Sequence, residues 1–301
     1  MIAFKAFVAG SLMVWQRRKL WLGLYVCNLI FALVLIIPAR SLLARFFADR
    51  LAGGTLAEQF DFAIWAVFLK QNFPSVSLLF NLMFVLGIIY WLFNAFLNGG
   101  ILMQFVNPEQ KFNLGSFLTT CCYFFVRFFR LLLIGLGVIV LVFLLSSVIF
   151  ALVGLLAGNI ENEIVKSILR LLAAGSVLLI LLFFNMILDY AKIITVVWDE
   201  LKVLKAVRLA MGFVRSNFGK TLILYFGISF LALILLVLYF SIHGWLKGAS
   251  AMVILATFLL QQIYIISKLG IRLDFFASQM YLYRQTSGIV TFEPIEIINE
   301  A

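Results

Sequence analysis

Six stretches of this chain contain no Asp, Glu, Lys or Arg, and each is at least 18 residues long. They run over 20–39, 71–108, 131–160, 171–188, 221–246 and 248–267. A helix needs about 20 apolar residues to cross about 30 Å of hydrocarbon, so each stretch can form one crossing. Their apolar cores lie at 20–38, 75–97, 131–156, 171–188, 221–242 and 251–267.

Composition excludes a water-soluble class for this chain. It is 65% hydrophobic and 12% charged, whereas an ordinary soluble domain is about 45–50% apolar and about 25% charged. Too few polar side chains are present to cover a surface that faces water. We therefore predict an all-α, polytopic integral membrane protein with six transmembrane helices.

The charges between the six stretches predict the orientation. Both termini lie on the side that holds 16 of the 23 Lys and Arg residues. Because cytoplasmic loops carry the Lys and Arg excess, both termini are expected in the cytoplasm. A seventh crossing within 71–108 would reverse this distribution. The net charge of +10 then indicates a bilayer with anionic lipids at its cytoplasmic face as the partner, and no nucleic acid.

Apolar residues at helical spacing precede the first, third and fifth crossings, which predicts three amphipathic helices in the cytoplasmic membrane interface. Their stripes are Phe4, Phe7, Val8, Leu12 and Trp15; Leu114, Phe117, Leu118, Cys121, Phe125, Phe128 and Phe129; and Val203, Leu204, Val207, Met211, Val214 and Phe218. The basic residues Lys202, Lys205, Arg208 and Arg215 are expected opposite the third stripe. On the external side, a capping box at 55–58 predicts another interfacial helix, and Asn159 is expected to cap the fourth crossing.

The three returning helices each carry a polar residue near the cytoplasmic end, at Asn98, Asp189 and Asp274. This recurrence predicts a single six-helix membrane domain over 1–285, built from possible repeats 1–106, 107–200 and 201–285, with a short acidic cytoplasmic tail at 286–301. An array of hydrophobic hairpins without repeats gives a similar pattern. If the repeats are real, the three residues approach a pseudo-threefold axis and line a substrate-binding vestibule. A simpler interpretation is a local surface pair between Asp189 and Lys192, and a similar one at Arg272 and Asp274.

Few residues in the chain could carry chemistry. The one histidine is His243, no cysteine pattern of a metal site occurs, and no motif of a hydrolase or nucleotide-binding enzyme is present. We therefore expect no enzyme, no metal and no cofactor. Ionisable residues, which mark transport pathways, are absent from the middle of every crossing. Amides within the crossings are expected to hold helices together: Asn28, Asn81, Asn94, Asn185, Gln261 and Gln262.

Three motifs carry a resemblance to a known family: Asp189-Tyr-Ala-Lys-Ile, Lys205-Ala-Val-Arg-Leu-Ala and Asn217-Phe-Gly-Lys-Thr-Leu-Ile-Leu-Tyr225. This region resembles the membrane domain of bacterial glycerophosphodiester phosphodiesterases and related uncharacterised polytopic inner-membrane proteins. The resemblance implies a multi-pass protein of the bacterial cytoplasmic membrane. Because no hydrolase sequence accompanies these motifs, the enzymatic activity is not expected.

Two functions are compatible with the sequence. One is a non-enzymatic membrane component with an envelope, lipid-related or scaffolding role. The alternative is a transporter or permease subunit with a cytoplasm-facing vestibule and a membrane or ATPase partner. A packed centre would favour the first, and a cavity lined by the three polar positions would favour the second.

Overall fold

The structure, a computed structural model, describes residues 2–48, 62–107, 112–158, 160, 162–246, 248 and 250–288. Helices account for nearly all of them: α1 (Ile2–Gln16), α2 (Arg18–Ala48), α3 (Phe62–Gln71), α4 (Phe73–Val106), α5 (Leu114–Gly158), α6 (Glu163–Val197), α7 (Val203–Ser216), α8 (Phe218–Trp245) and α9 (Ala251–Ser287). Six of these helices, α2, α4, α5, α6, α8 and α9, are long and apolar enough to cross a membrane. The predicted all-α fold with six crossings is confirmed.

The crossings leave most of their apolar side chains uncovered by protein. In their most hydrophobic windows, only 6% to 22% of residues are buried. Large apolar surfaces of this kind need an apolar environment around them, which the hydrocarbon of a bilayer supplies. The chain is a multi-pass membrane protein.

The first and third of the predicted interfacial segments are separate helices, each divided from its crossing by a single residue. Arg17 lies between α1 and α2, and Asn217 lies between α7 and α8. The second segment differs from the prediction, because α5 runs as one helix of 45 residues through segment and crossing. The other two segments are interrupted at Arg17 and Asn217. In α5 the apolar run of the crossing follows Arg130 without an interruption of the helix.

The three segments bury residues at a common spacing of i, i+3, i+7 and i+11. The buried positions are Ala3, Ala6, Gly10 and Val14 in α1; Phe117, Thr120, Phe124 and Phe128 in α5; and Val203, Ala206, Ala210 and Val214 in α7. Each segment therefore turns one face towards other parts of the protein. The threefold repeat itself stays a prediction.

Several other expectations concern the ends of helices. The cap of α6 is Asn162, whose side chain accepts a hydrogen bond from the backbone N–H of Ile164 at 2.9 Å. The predicted cap, Asn159, lies outside the described residues. The predicted external helix is α3, while its capping box at 55–58 lies outside the described residues. The helix α9 continues to Ser287, and the rest of the predicted tail, 289–301, also lies outside them.

Tyrosine side chains bond to amides across neighbouring crossings. The three pairs are Tyr25 with Gln262 at 2.6 Å, Tyr90 with Asn28 at 2.6 Å, and Tyr225 with Asn185 at 2.7 Å. Such bonds contribute about 0.6 kcal/mol on average in a membrane. The prediction that amides hold helices together is confirmed for these three.

The chain divides into two compact units. Unit 1 comprises Met1–Ala9, Ala95–Tyr225 and Phe276–Ala301, and unit 2 comprises Gly10–Asn94 and Phe226–Phe275. Within unit 1, two glycines let the end of α4 lie against α5. A Cβ atom on Gly100 would lie 2.5 Å from the Cys121 sulfur and 2.6 Å from the Phe117 ring, and one on Gly99 would lie 2.8 Å from the Phe124 Cβ. A side chain at Gly100 would force the Cys121 and Phe117 side chains to shift, and one at Gly99 would meet the Phe124 Cβ, which moves only with the α5 backbone.

We predict that Gly100→Ala lowers the free energy of unfolding by about 1–3 kcal/mol, since overpacking a tight contact costs about this much. The matched control is Gly87→Ala on the same helix, where a Cβ would meet nothing within 4 Å. Equilibrium unfolding in detergent measures both variants. Equal stabilities of the two would contradict the close approach.

Candidate functional site

The returning helices α4, α6 and α9 end in densely packed segments within unit 1. We call residues 95–106, 186–197 and 276–287 the return-end core, because most of their side chains are buried. Fully buried examples from the three helices are Ile101, Leu102, Tyr190, Ile194 and Met280. Burial is therefore far denser at these ends than along the crossings that lead to them.

Asp189 lies buried in the return-end core and is paired locally. Its Oδ1 accepts a hydrogen bond from the Lys192 ammonium at 2.8 Å, one turn further along α6. The ammonium also lies 5.8 Å from the centroid of the Phe276 ring. The predicted local pair is confirmed, and an aromatic side chain from α9 covers the Lys192 ammonium.

The other two predicted site residues occupy different surroundings. Asn98 is half-buried and belongs to unit 1. Asp274 is buried in unit 2, where its carboxylate accepts a hydrogen bond from the Ser11 hydroxyl at 3.1 Å. Also in unit 2, the Arg272 guanidinium donates to the Asn94 side chain. A vestibule formed by Asn98, Asp189 and Asp274 stays a prediction.

A carboxylate that the sequence analysis missed fixes the corner between α6 and α7. Asp199 has a φ of 48°, a left-handed conformation that Asp tolerates better than most residues. Its carboxylate accepts hydrogen bonds from the Tyr123 hydroxyl at 2.8 Å and from the Arg127 guanidinium. The side chain of Arg127 is only 8% exposed, and its guanidinium lies 4.8 Å over the Tyr123 ring. Partners 72 residues apart leave no local signal in the sequence.

Further contacts close the return-end core. The Trp198 indole donates to the Tyr283 hydroxyl at 2.8 Å, and the Arg284 guanidinium donates to the backbone carbonyl of Val106. The Phe213 ring of α7 lies 5.1 Å from the Tyr190 ring and 4.8 Å from the Tyr283 ring. These contacts join the ends of α4, α6 and α9 with α7 in one packed region.

Three side chains inside this region have buried polar atoms without a hydrogen-bond partner among the described residues. They are the Tyr190 hydroxyl, the Gln279 side-chain amide and the Nε of Arg284, whose guanidinium donates to Val106 through Nη2. Buried polar groups are normally bonded. The Tyr190 and Gln279 side chains are fully buried, and both have bonding capacity left for a bound molecule.

The helix α7 presents a mixed stripe on the side that does not pack against the protein. We call Leu204, Arg208, Met211 and Arg215 the α7 outer stripe, since they recur at i, i+4, i+7 and i+11 and are all exposed. Leu204 is 74% exposed and Met211 is 47% exposed. The predicted apolar stripe is therefore divided, because its valines 203 and 214 are buried against the protein while these two side chains are not.

Charge on the α7 outer stripe is not neutralised by the described residues. Neither Arg208 nor Arg215 pairs with an acidic side chain among them. The neighbouring Lys205 does pair, donating to the Glu200 carboxylate at 2.7 Å. This hydrogen bond holds the pKa of Glu200 below its ordinary value. Within the described part of the chain, no acidic side chain competes with an outside anion for the two arginines.

No three His, Cys, Asp or Glu side chains among the described residues come together as a metal site would require. No family model, curated protein or solved structure matches the chain. The packed return-end core and the α7 outer stripe are therefore the features on which a functional argument can be built.

We predict that Asp199→Asn lowers the free energy of unfolding by about 1.5–3 kcal/mol, because a hydrogen bond to a charged group contributes about this much. Asparagine also adopts the left-handed conformation, so the backbone of the corner is preserved. The control is Glu200→Gln, for which a smaller loss is expected because its partner Lys205 is 60% exposed. Thermal unfolding in detergent compares the two. A loss for Glu200→Gln as large as that for Asp199→Asn would contradict the role of Asp199.

Proposed function

We propose that this protein is a non-enzymatic component of the bacterial cytoplasmic membrane with a lipid-related, scaffolding role, and that its α7 outer stripe binds anionic phospholipids at the cytoplasmic leaflet. In this proposal both termini are cytoplasmic, as the Lys and Arg distribution predicts. The single observation that carries it is the alternation of exposed apolar and unpaired arginine side chains along α7.

The α7 outer stripe needs surroundings that are apolar and anionic at once. Exposed Leu204 and Met211 are stabilised by contact with hydrocarbon, at about 25 cal/mol for each Å² removed from water. The guanidinium groups of Arg208 and Arg215 bind phosphate through paired N–H donors. The boundary between headgroups and acyl chains supplies both environments within a few ångströms. An anionic leaflet adds about 1 kcal/mol for each basic residue.

The return-end core supports a scaffold more than a passage. Transport sites place ionisable groups against a cavity, whereas Asp189 is bonded to Lys192, whose ammonium lies over the Phe276 ring. The corner at Asp199 is likewise fixed by its bonds to α5. A region packed this densely presents a stable platform from which α7 reaches the leaflet.

A transporter or permease subunit is the second candidate, and the orphan Tyr190 and Gln279 groups favour it. Buried polar side chains without partners would bind a polar solute if the return-end core opened. Both candidates share the bilayer as partner. They differ in whether water reaches the core.

We predict that the double variant Arg208→Gln/Arg215→Gln loses most of its stabilisation by anionic lipid. The melting temperature in detergent should rise for the unmodified chain on addition of phosphatidylglycerol, and rise little with phosphatidylcholine. The matched control is Lys166→Gln/Arg170→Gln, which removes the same charge from α6. The proposal is wrong if phosphatidylglycerol stabilises the two double variants equally.

We predict that Gln279→Cys, in a chain whose native cysteines are replaced by serine, resists a small water-soluble thiol reagent. Two adjacent native cysteines give reference labelling rates, because Cys121 is buried and Cys122 is exposed. Single-cysteine chains that retain only Cys121 or only Cys122 are the slow and fast references. Labelling of Gln279→Cys at the slow rate supports the closed core. Labelling at the fast rate would establish water access and favour transport.

A further inference from the structure

Unit 2 contains a groove between the end of α2 and the beginning of α4. Its volume is about 530 Å³, within the range of about 300–1,000 Å³ in which small-molecule sites fall. One wall carries Ser41 and Arg45 of α2, and the other carries Ser75, Leu78 and Asn81 of α4. The walls are largely apolar, and most of these side chains are exposed. The groove is therefore open to whatever surrounds the crossings.

The length of the groove corresponds to one leaflet. Its α4 wall extends from Ser75 to Val85, and ten residues of helix rise about 15 Å. The hydrocarbon of a whole bilayer is about 30 Å thick. Arg45, Ser41 and Ser75 lie towards one end of the groove, Asn81 lies about 9 Å further along α4 than Ser75, and leucine and valine line the rest. This distribution matches a molecule with a polar head and an apolar chain.

Two polar side chains in the groove have bonding capacity that the described residues do not use. Arg45 has no acidic partner, and the Asn81 amide has no hydrogen-bond partner, among the described residues. Amides on neighbouring crossings behave differently, since Asn28 and Gln262 are bonded to tyrosines. An amide left unbonded in hydrocarbon is costly. A bound molecule with oxygen acceptors would remove that cost.

The groove is built into the fold by neighbouring contacts. Pro38 lies within α2, where it cannot donate the helical bond to the carbonyl of Val34. The Ser41 hydroxyl donates to the Pro38 carbonyl at 2.8 Å, which holds the next turn in place. Leu42, in the groove wall, packs against buried Phe68 of α3. Walls that are preformed lower the ordering cost of binding.

We propose that this groove binds one diacyl phospholipid with an anionic headgroup. The phosphate binds the Arg45 guanidinium, the Asn81 amide donates to a glycerol ester carbonyl, and one acyl chain lies along Leu78 and Leu82. The backbone of a helix from another protein offers neither an anion nor free acceptors, since its carbonyls are already bonded, whereas every anionic phospholipid carries a phosphate and ester carbonyls together. The site shares no residue with the α7 outer stripe, so it stands independently of the function proposed above.

Native mass spectrometry of the full chain in detergent tests this site. Phosphatidylglycerol and phosphatidylcholine with identical acyl chains are the two probes. The unmodified chain should retain one tightly bound phosphatidylglycerol. Arg45→Gln should weaken its binding about tenfold, the change that corresponds to one charge-assisted hydrogen bond, and phosphatidylcholine binding should change little. The matched control is Arg40→Gln, an exposed arginine of α2 outside the groove, which should bind as the unmodified chain does.

A second variant provides a test that does not require Arg45→Gln to fold correctly. Leu82→Trp fills the groove while leaving Arg45 in place, and it should abolish the tight site. Equal binding by Arg45→Gln and Arg40→Gln, equal retention of the two lipids, or unchanged binding by Leu82→Trp would each overturn the proposal. The Arg208→Gln/Arg215→Gln variant should keep the lipid bound in the groove. The experiment therefore tests the groove separately from the lipid binding proposed for the α7 outer stripe.

Discussion

Hydrocarbon offers no hydrogen bonds to a polypeptide backbone, and the rest of this structure depends on that constraint. Every crossing must satisfy its backbone internally as a helix, and lipid tails are as apolar as the side chains, so the hydrophobic effect does not draw the crossings together. Association along the crossings is left to sparse contacts such as the Tyr225–Asn185 bond. Dense packing lies instead at the ends of the returning helices, within unit 1.

The two units differ in the chemistry of their polar groups. In unit 1, buried charges are paired and the Asp199 corner holds α7 with its arginines outward. In unit 2, the Arg45 groove leaves Arg45 without an acidic partner and Asn81 without a hydrogen-bond partner in the part of the chain that the structure describes. One region resembles a folded protein core beside a charged surface. The other resembles a site whose contacts are completed by lipid.

The sequence predicts the crossings well, because a run of about 20 residues without charge has few other solutions. It also predicts the Asp189–Lys192 pair, whose members are one helical turn apart. It does not predict Asp199, whose partner Arg127 is distant in the chain. Nor does it predict which stripe residues are buried, since Leu204 and Val203 are equally apolar. The burial of these residues depends on which helices pack against α7, and the periodicity of the sequence carries no information about those helices.

The helix α5 differs from the other segments in having no interruption between its first turns and its crossing. Its 45 residues extend about 68 Å at 1.5 Å per residue, more than twice the thickness of the hydrocarbon. Single residues separate α1 from α2 and α7 from α8, so each of those short helices is an element distinct from its crossing. The α5 helix has no such interruption. The turns that hold Tyr123 and Arg127 therefore belong to the same continuous helix as the crossing, and the Asp199 corner is bonded directly to that helix.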